Sequence, residues 1–408
     1  MEREARRRSL FLFLAFGSPL LASGFLRIDR GERNYMKADQ MKSWKREELK
    51  PEAGIGSRKL LAPCFLLLAS CFLLLCFAAA FLFSSSSSAL AAGEIVIKVA
   101  TLAPQGSEWH KILQEMGAEW QKASNGRIAF RLYPGGVAGD DADLVRKMRL
   151  GTLDAGLLTV NGLSVIDRGV LGLEIPLAYS NYGELDCVLE QMGPDLERRM
   201  EAKGFVLLGW SEAGWAHFFT KSPVRTPDDM RKLKMFVWAG DDEYVELWKK
   251  AGFNPVPLPS TEIATALQTG LVNAVTVNPQ GILLLQWYKQ VGYMTDFNWA
   301  VFLGGIVISK STWEKIPADI RPIVKQAAFK AAQRLKDFSR RTDKSDMEAL
   351  KKNGVQVVPV DENTLNAWRR LIEGILPQVR GSYLPADIFD TALKLRDQCR
   401  RRAGEAGK

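Results

Sequence analysis

Cysteine and histidine are scarce in this 408-residue chain, which has five cysteines and two histidines. Three of the cysteines lie before residue 80, so only Cys187 and Cys399 remain in the rest of the chain. Two distant cysteines exclude a disulfide framework and leave open a single bridge between them. Because His110 and His217 are the only histidines, a histidine-rich metal site is excluded, and we predict neither a metal site nor a cofactor.

The common catalytic motifs are also missing. The sequence has no Gly-Lys-Ser/Thr phosphate loop and no Gly-x-Gly-x-x-Gly nucleotide motif. The segment Gly209–Gly214 resembles the Gly-x-Ser-x-Gly turn of hydrolases, but it has one residue too many before the second glycine. Acidic pairs such as Asp140-Asp141 and Asp241-Asp242 stand where helices can begin, and N-capping explains them. We therefore predict that the protein is not an enzyme and has no catalytic residues.

Positive charge is concentrated at the N-terminus. Residues 1–91 contain 14 Lys and Arg and 8 Asp and Glu, so they carry +6 of the formal net charge of +9. The rest of the chain is nearly balanced, and a balanced surface lacks the broad basic face that neutralises phosphates. Nucleic acid is therefore excluded as a partner.

The N-terminal region has the features of an export signal. Residues 60–83 contain no charged side chain, follow Arg58 and Lys59, and precede a serine run and an Ala-Leu-Ala site that ends at Ala91. This order predicts a secretory signal that is cleaved after Ala91. Two alternatives stay open: residues 60–83 could remain as a membrane anchor, or Cys71 could be a lipoprotein site. The unusual length of the region before residue 60 suggests that translation starts later.

Strand-like and helix-like segments alternate through the rest of the chain. The elements predicted before residue 161 are strands over 94–101, 127–133 and 155–160 and helices over 107–124 and 140–150. The same alternation recurs after Gly204, which indicates an α/β fold with a largely parallel sheet. A helix of about 30 residues is predicted from Pro317 toward Gly354. It is long enough to bridge two lobes, and a surface helix with one buried stripe is the alternative.

Short motifs follow one another in a distinctive order between residues 94 and 378. They are Pro104-x-Gly106-Ser107, Asn125-Gly126-Arg127, Tyr133–Gly136, Arg149–Asp154, Pro227–Asp229, Leu233–Met235 and Ala266–Gly270. Each motif is weak alone. Their order and spacing resemble those of the solute-binding proteins of TRAP transporters, the DctP-type family.

The resemblance implies an α/β fold with two lobes, the Venus-flytrap arrangement of periplasmic binding proteins, in which the long helix bridges the lobes. The domain limits inferred on this basis are 1–91 for the N-terminal extension and signal, 94–213 plus 303–340 for the first lobe, 214–302 plus 341–378 for the second lobe, and 379–408 for a C-terminal helical tail. A small organic solute would bind in the cleft between the lobes.

The resemblance also implies a periplasmic location and the membrane subunits of a TRAP transporter as partners. The alternative function is a sensory binding protein that presents its ligand to a receptor instead of a permease. Both a monomer and a dimer stay open.

Two residues depart from what the resemblance implies. Members of this family typically hold the substrate carboxylate with an arginine in the strand after the Leu-x-Lys motif, and the matching residue here is Phe236. A second arginine, 20 residues earlier in many members, falls on Ala216. The planar fork of arginine makes two charge-assisted hydrogen bonds to a carboxylate, and neither Phe nor Ala can do so. Ordinary dicarboxylates are therefore not the expected ligands.

Strand alternation places Phe236 and Trp238 on one face, opposite Met235 and Val237. If that face lines the cleft, the two rings form an aromatic wall and Ala216 leaves room beside it. We then expect the ligand to be bound mainly by aromatic and apolar contacts. The alternative for Phe236 is that it fills the core between the sheet and a helix.

The other candidate ligand contacts are polar or lie near the expected hinge. They are Asn161, Glu212, Asp241, Tyr244 and Asn278 as polar contacts, with Trp210 and Trp215 near the hinge. Among them, Asp241 and Glu212 would suit an amine or a bound cation, and Trp238 could add a cation–π contact to an amine.

Overall fold

Two β-sheets form the frame of the protein in the computed structural model, which describes residues 95–406. The strands are β1 (Ile95–Thr101), β2 (Ile128–Tyr133), β3 (Ala155–Thr159), β4 (Phe205–Trp215), β5 (His217–Thr220), β6 (Lys234–Trp238), β7 (Asn254–Leu258), β8 (Ala274–Val277), β9 (Tyr293–Asp296), β10 (Val301–Ser309) and β11 (Gln356–Pro359). The first sheet has the order β2-β1-β3-β10-β4, and the second has the order β11-β9-β5-β8-β6-β7. The prediction of a two-lobed α/β fold is confirmed.

Helices cover both sheets. They are α1 (Glu108–Ala123), α2 (Asp141–Arg149), α3 (Val160–Ile166), α4 (Tyr182–Ala202), α5 (Pro227–Arg231), α6 (Asp242–Lys250), α7 (Ile263–Thr269), α8 (Pro279–Leu284), α9 (Lys310–Lys315), α10 (Arg321–Lys352), α11 (Glu362–Val379) and α12 (Ala386–Ala406). As the sequence predicts, Ser107 caps α1 through a hydrogen bond from the His110 N–H, and Asp140 and Asp241 cap α2 and α6.

Each sheet is largely parallel, as predicted, and contains one reversed strand. In the first sheet, β1 runs parallel to β2 and β3, whereas β10 runs antiparallel to β3 and β4. In the second sheet, β6 runs parallel to β7 and β8, whereas β5 runs antiparallel to β8 and β9. The reversed strands are the ones that cross over: β10 arrives from the second sheet and β5 from the first.

The two crossings between the sheets lie side by side. The chain leaves the first sheet at Trp215 and enters the second at His217; it returns through Trp299 and Ala300. The Ala216 N–H donates to the Ala300 carbonyl at 2.8 Å, and the Trp299 N–H donates to the Ala216 carbonyl at 3.0 Å. These hydrogen bonds join the crossings into one hinge centred on Ala216.

The long helix α10 spans 32 residues and bridges the lobes, as predicted. It packs against β4 and α1 beside the first sheet and against α8 beside the second. Its apolar stripe, which includes Val324, Ala328 and Leu335, is buried against the first sheet. Burial of this stripe fixes the helix on one lobe while its far end reaches the other.

The C-terminal helices return to both lobes. Helix α11 packs against α5 and α6, whereas α12 packs against α4 of the first lobe. A disulfide joins Cys187 of α4 to Cys399 of α12, with 6.1 Å between their Cα atoms. The single bridge that the sequence left open is therefore present, and it ties the predicted helical tail to the first lobe.

The predictions on residues 1–91, including the cleaved signal, the anchor and the lipoprotein site, lie outside the described residues. Within residues 95–406, no helix is both long enough and apolar enough to cross a lipid bilayer. The limits proposed for the two lobes remain predictions.

Candidate ligand-binding cleft

A cavity of about 190 Å³, called here the first cavity, lies between the two sheets. The first sheet contributes the ends of β1 and β3 and part of β4, and the second contributes β6 and β8. Most of the lining is apolar, and hydroxyl groups such as those of Thr159, Ser211 and Thr276 interrupt it. The carboxyl ends of sheet strands are where α/β proteins usually bind ligands. The first cavity is therefore a candidate binding site.

A second cavity of about 160 Å³ lies beside the first. It is enclosed by β6, by α6 and α11, and by the segment that follows the 3-10 turn Arg168–Leu173. Phe236, Trp238, Thr276 and Phe302 line both cavities. The two cavities are therefore neighbours. We call these four residues the shared wall, because they line both cavities.

Phe236 and Trp238 have the arrangement that strand alternation predicts. Their ring centroids are 5.7 Å apart and their planes meet at 64°, an edge-to-face contact. Phe236 is 6% exposed and belongs to the apolar core with Phe219 and Leu267, so it fills the core and lines the cavities at once. Phe236 therefore both lines the cleft and fills the core, the two alternatives considered for it. Its contact with a ligand stays a prediction.

Ala216, Asn161 and Tyr244 line the second cavity and not the first. Ala216 is almost completely buried at the hinge. The Tyr244 ring stacks on that of Tyr383, with 5.6 Å between centroids. Burial raises the pKa of Tyr244 to about 12, so its hydroxyl stays neutral at pH 7.

Asn278 and Glu212 line the first cavity, and both have partners inside the protein. The Asn278 side-chain amide donates to the Ala213 carbonyl at 2.7 Å. Glu212, whose side chain is 2% exposed, accepts two hydrogen bonds from Arg340, one of them at 2.8 Å to Oε2. Arg340 also donates to both carboxylate oxygens of Asp186. Arg340 therefore compensates the negative charge of Glu212 in the absence of a ligand, so Glu212 does not need an amine as its counter-ion.

Asp241 lines neither cavity. Its Oδ1 accepts the N-capping hydrogen bond from the Tyr244 N–H at 3.1 Å, and its Oδ2 accepts from the Tyr383 hydroxyl at 2.8 Å. Arg168 of the first lobe approaches Asp241 at 3.4 Å. Asp241 thus holds α6, the segment after α11 and the first lobe together, and these contacts occupy its carboxylate.

Trp210 and Trp215 also lie outside the cavity linings. The Trp210 indole donates to Glu197 of α4 at 3.2 Å. The Trp215 ring packs on that of Tyr182, with 5.4 Å between centroids, inside the core of the first lobe. Of the ten predicted ligand contacts, these two and Asp241 are therefore not brought to either cavity.

Other lining residues escaped prediction from sequence. Trp109 lines the first cavity, and its buried indole N–H has no hydrogen-bond partner among residues 95–406. Its position in the first turn of a helix after a strand was an available signal. Trp299 and Phe302 flank the second crossing, and Glu174 interrupts an apolar segment between Leu173 and Ile175. The sequence alone could not assign these residues to a cavity, because their position depends on where the chain crosses between the sheets.

The lining of both cavities lacks positive charge. No arginine, lysine or histidine from the described part of the chain lines either one. Glu212 and Glu174 are the acidic residues of the two linings. Within the same residues, no cluster of three His, Cys, Asp or Glu side chains could hold a metal ion. A ligand carboxylate would therefore meet no cationic side chain from residues 95–406 in either lining.

Known proteins match this chain over most of the described residues. The family model for bacterial extracellular solute-binding proteins, family 7 (DctP), matches residues 99–380. A solute-binding protein of Roseobacter denitrificans is 27% identical over 281 residues, covering 68% of this chain and 85% of that protein. The C4-dicarboxylate-binding periplasmic protein DctP of Rhodobacter capsulatus is 27% identical over 239 residues, covering 57% and 71%.

A similar architecture is known from solved structures. A TRAP periplasmic solute binding protein from Ralstonia eutropha, solved with bound (S)-2-acetolactate, superposes with a TM-score of 0.69. It is 22% identical, and the match covers 74% of this chain and 99% of that one. The proteins compared are solute-binding proteins and not enzymes. With a family model matched across most of both lobes, the chain belongs to family 7 of the bacterial extracellular solute-binding proteins, the DctP family of TRAP transporters.

Proposed function

We propose that the protein is exported to the periplasm, captures one small organic solute between its lobes, and delivers it to the membrane subunits of a TRAP transporter. Family membership supports capture and delivery. The uncharged segment 60–83 and the Ala-Leu-Ala site that follows it support export.

The solute is bound mainly by aromatic and apolar contacts. The observation that carries this proposal is the pair Phe236 and Ala216, which line the cavities where a carboxylate-binding arginine is expected. Of the relatives named above, one is a C4-dicarboxylate-binding protein and one was solved with bound acetolactate. The proposal therefore gives this chain a different class of ligand. A cavity of roughly 150 Å³ accommodates benzene, which means that each cavity has room for one ring.

Closure of the lobes encloses the solute. Ser260 of the second lobe donates from its N–H and its hydroxyl to Asp140 of the first, at 2.8 and 2.9 Å. Arg168 of the first lobe pairs with Glu243 of the second. One of these contacts lies beside each cavity, and we propose that both stabilise the closed form. The lobes rotate about Ala216 when they open and close.

Calorimetric titration with succinate tests the missing-arginine proposal. We expect no binding by the wild-type protein and measurable binding by the double variant Phe236→Arg/Ala216→Arg, because arginine supplies the bidentate contact. Micromolar binding of succinate by the wild type would overturn the proposal.

A second variant keeps the test informative, since both replaced side chains are buried. Trp238→Ala removes one ring of the shared wall without burying charge. We expect it to weaken binding of the solute that co-purifies with the protein by about tenfold, equivalent to about 1.4 kcal/mol. Trp313→Ala is the matched control because Trp313 is partly buried and lines neither cavity. Equal effects of the two variants would refute the aromatic wall.

A further inference from the structure

Within residues 95–406, the carboxyl group of Glu174 has neither a hydrogen-bond partner nor an ion-pair partner. Glu174 follows the 3-10 turn Arg168–Leu173, is partly buried, and lines the second cavity. No other described residue donates a hydrogen bond to its side chain or forms an ion pair with it, and burial alone raises its pKa well above the ordinary value. An acidic group in such a position is costly unless a ligand compensates it.

The surroundings of Glu174 are unusually rich in aromatic rings. Those that line the second cavity include Trp238, Tyr244, Trp248, Trp299, Phe302 and Tyr383. Neighbouring rings are in contact: the centroids of Tyr244 and Trp248 are 5.9 Å apart, and those of Trp248 and Trp299 are 6.1 Å apart. The faces of Trp and Tyr rings attract cations, and several rings around one point form the cage that recognises ammonium groups.

The described part of the chain places no positively charged side chain in the lining of this cavity. Among residues 95–406, the nearby positive group is Arg168, which lies 4.8 Å from the Tyr383 ring centroid. It is already paired with Glu243 and Asp241, and it does not line the cavity. Within the described residues, the carboxyl group of Glu174 therefore remains available to a positively charged ligand.

We infer that the second cavity binds the ammonium group of an organic amine, with Glu174 as its counter-ion and the surrounding rings as cation–π partners. The apolar part of the amine extends along the shared wall toward the first cavity. This inference rests on the proposed function, because it names the chemical class of the solute that the cleft captures.

Three probes with the same ring and different charge test the inference. Benzylamine, benzyl alcohol and benzoate are titrated into the protein purified from cells that express the full chain, in separate calorimetric experiments at pH 7.5. We expect benzylamine to bind at least tenfold more tightly than the other two. Glu174→Gln should weaken benzylamine binding at least tenfold and change benzyl alcohol binding less than twofold.

Glu190→Gln is the matched control, since Glu190 is exposed and lines neither cavity. The inference is overturned if benzylamine binds no more tightly than benzyl alcohol, if no probe binds, or if the two Gln variants behave alike. If benzyl alcohol binds more tightly than benzylamine, this inference is wrong and the proposed function still stands. Tight binding of benzoate removes both, because a carboxylate would then be held without arginine.

Discussion

Each cavity has one glutamate in its lining, and the two glutamates are in opposite situations. Glu212, in the first cavity, is held by two hydrogen bonds from Arg340, which also binds Asp186. Glu174, in the second, has no partner among the described residues. The comparison shows that the carboxylate beside the first cavity is used in an ion pair within the protein, with Arg340. By our inference, the carboxyl group of the second cavity binds the ligand.

Breaking the ion pair between Arg340 and Glu212, which we call the hinge pair, should have the largest effect on stability. Arg340→Met leaves Glu212 buried without its counter-charge, and loss of one member of a buried pair typically costs about 3–5 kcal/mol in the free energy of unfolding. Urea unfolding measures this loss. Arg334→Met is the control, because its pair with Glu115 is exposed and is expected to contribute less than about 1 kcal/mol. Similar losses from both variants would contradict a special role for the hinge pair.

A third carboxyl group, that of Asp141, lies between these two extremes. Its Oδ2 accepts hydrogen bonds from the Thr159 N–H and hydroxyl, while its Oδ1 is buried without a partner among the described residues. Burial raises the pKa of Asp141 from 3.8 to about 7. Between these values the unfolded chain loses the proton and the folded protein keeps it, so stability falls as pH rises.

We expect the stability of the wild type to fall, relative to that of Asp141→Asn, by about 2–3 kcal/mol between pH 5 and pH 7. Asn keeps an oxygen acceptor for Thr159 and cannot ionise. Unfolding curves of the two proteins across this pH range give the difference. A constant difference from pH 5 to pH 7 would show that Asp141 does not titrate there.

The smallest effect should come from replacing the carboxyl group in the second cavity. Without ligand, Glu174→Gln should change the free energy of unfolding by less than about 1 kcal/mol, since no hydrogen bond or ion pair with another described residue is lost. Glu212→Gln should cost more because it weakens the hydrogen bonds of Arg340. Parallel thermal unfolding of both variants makes the comparison direct. A larger loss for Glu174→Gln would reveal an internal partner for that carboxyl group.

Much of the fold follows from local patterns in the sequence. The cap at Ser107, the strand Ala274–Val277 and the long bridging helix are all fixed by residues close together in the chain. The mixed sheets and the Cys187–Cys399 bridge depend on contacts across long separations, 212 residues for the bridge. No local pattern contains that information.

The candidate site divides in the same way. Alternation along a five-residue strand correctly placed Phe236 and Trp238 on one face. It could not place Trp210, because β4 is paired with β10 through two register irregularities that change the alternation along the ladder. The pairing of Glu212 with Arg340, 128 residues away, was equally beyond reach from sequence.

Native mass spectrometry of the protein, purified without refolding from cells that express the full chain, tests the central claim most directly. The bound small molecule is released and identified. The account predicts a solute with a ring or an apolar body and an amino group, retained by the wild type and lost more readily from Trp238→Ala. A simple dicarboxylate as the main bound molecule would contradict it, because neither cavity offers a positively charged side chain from the described residues.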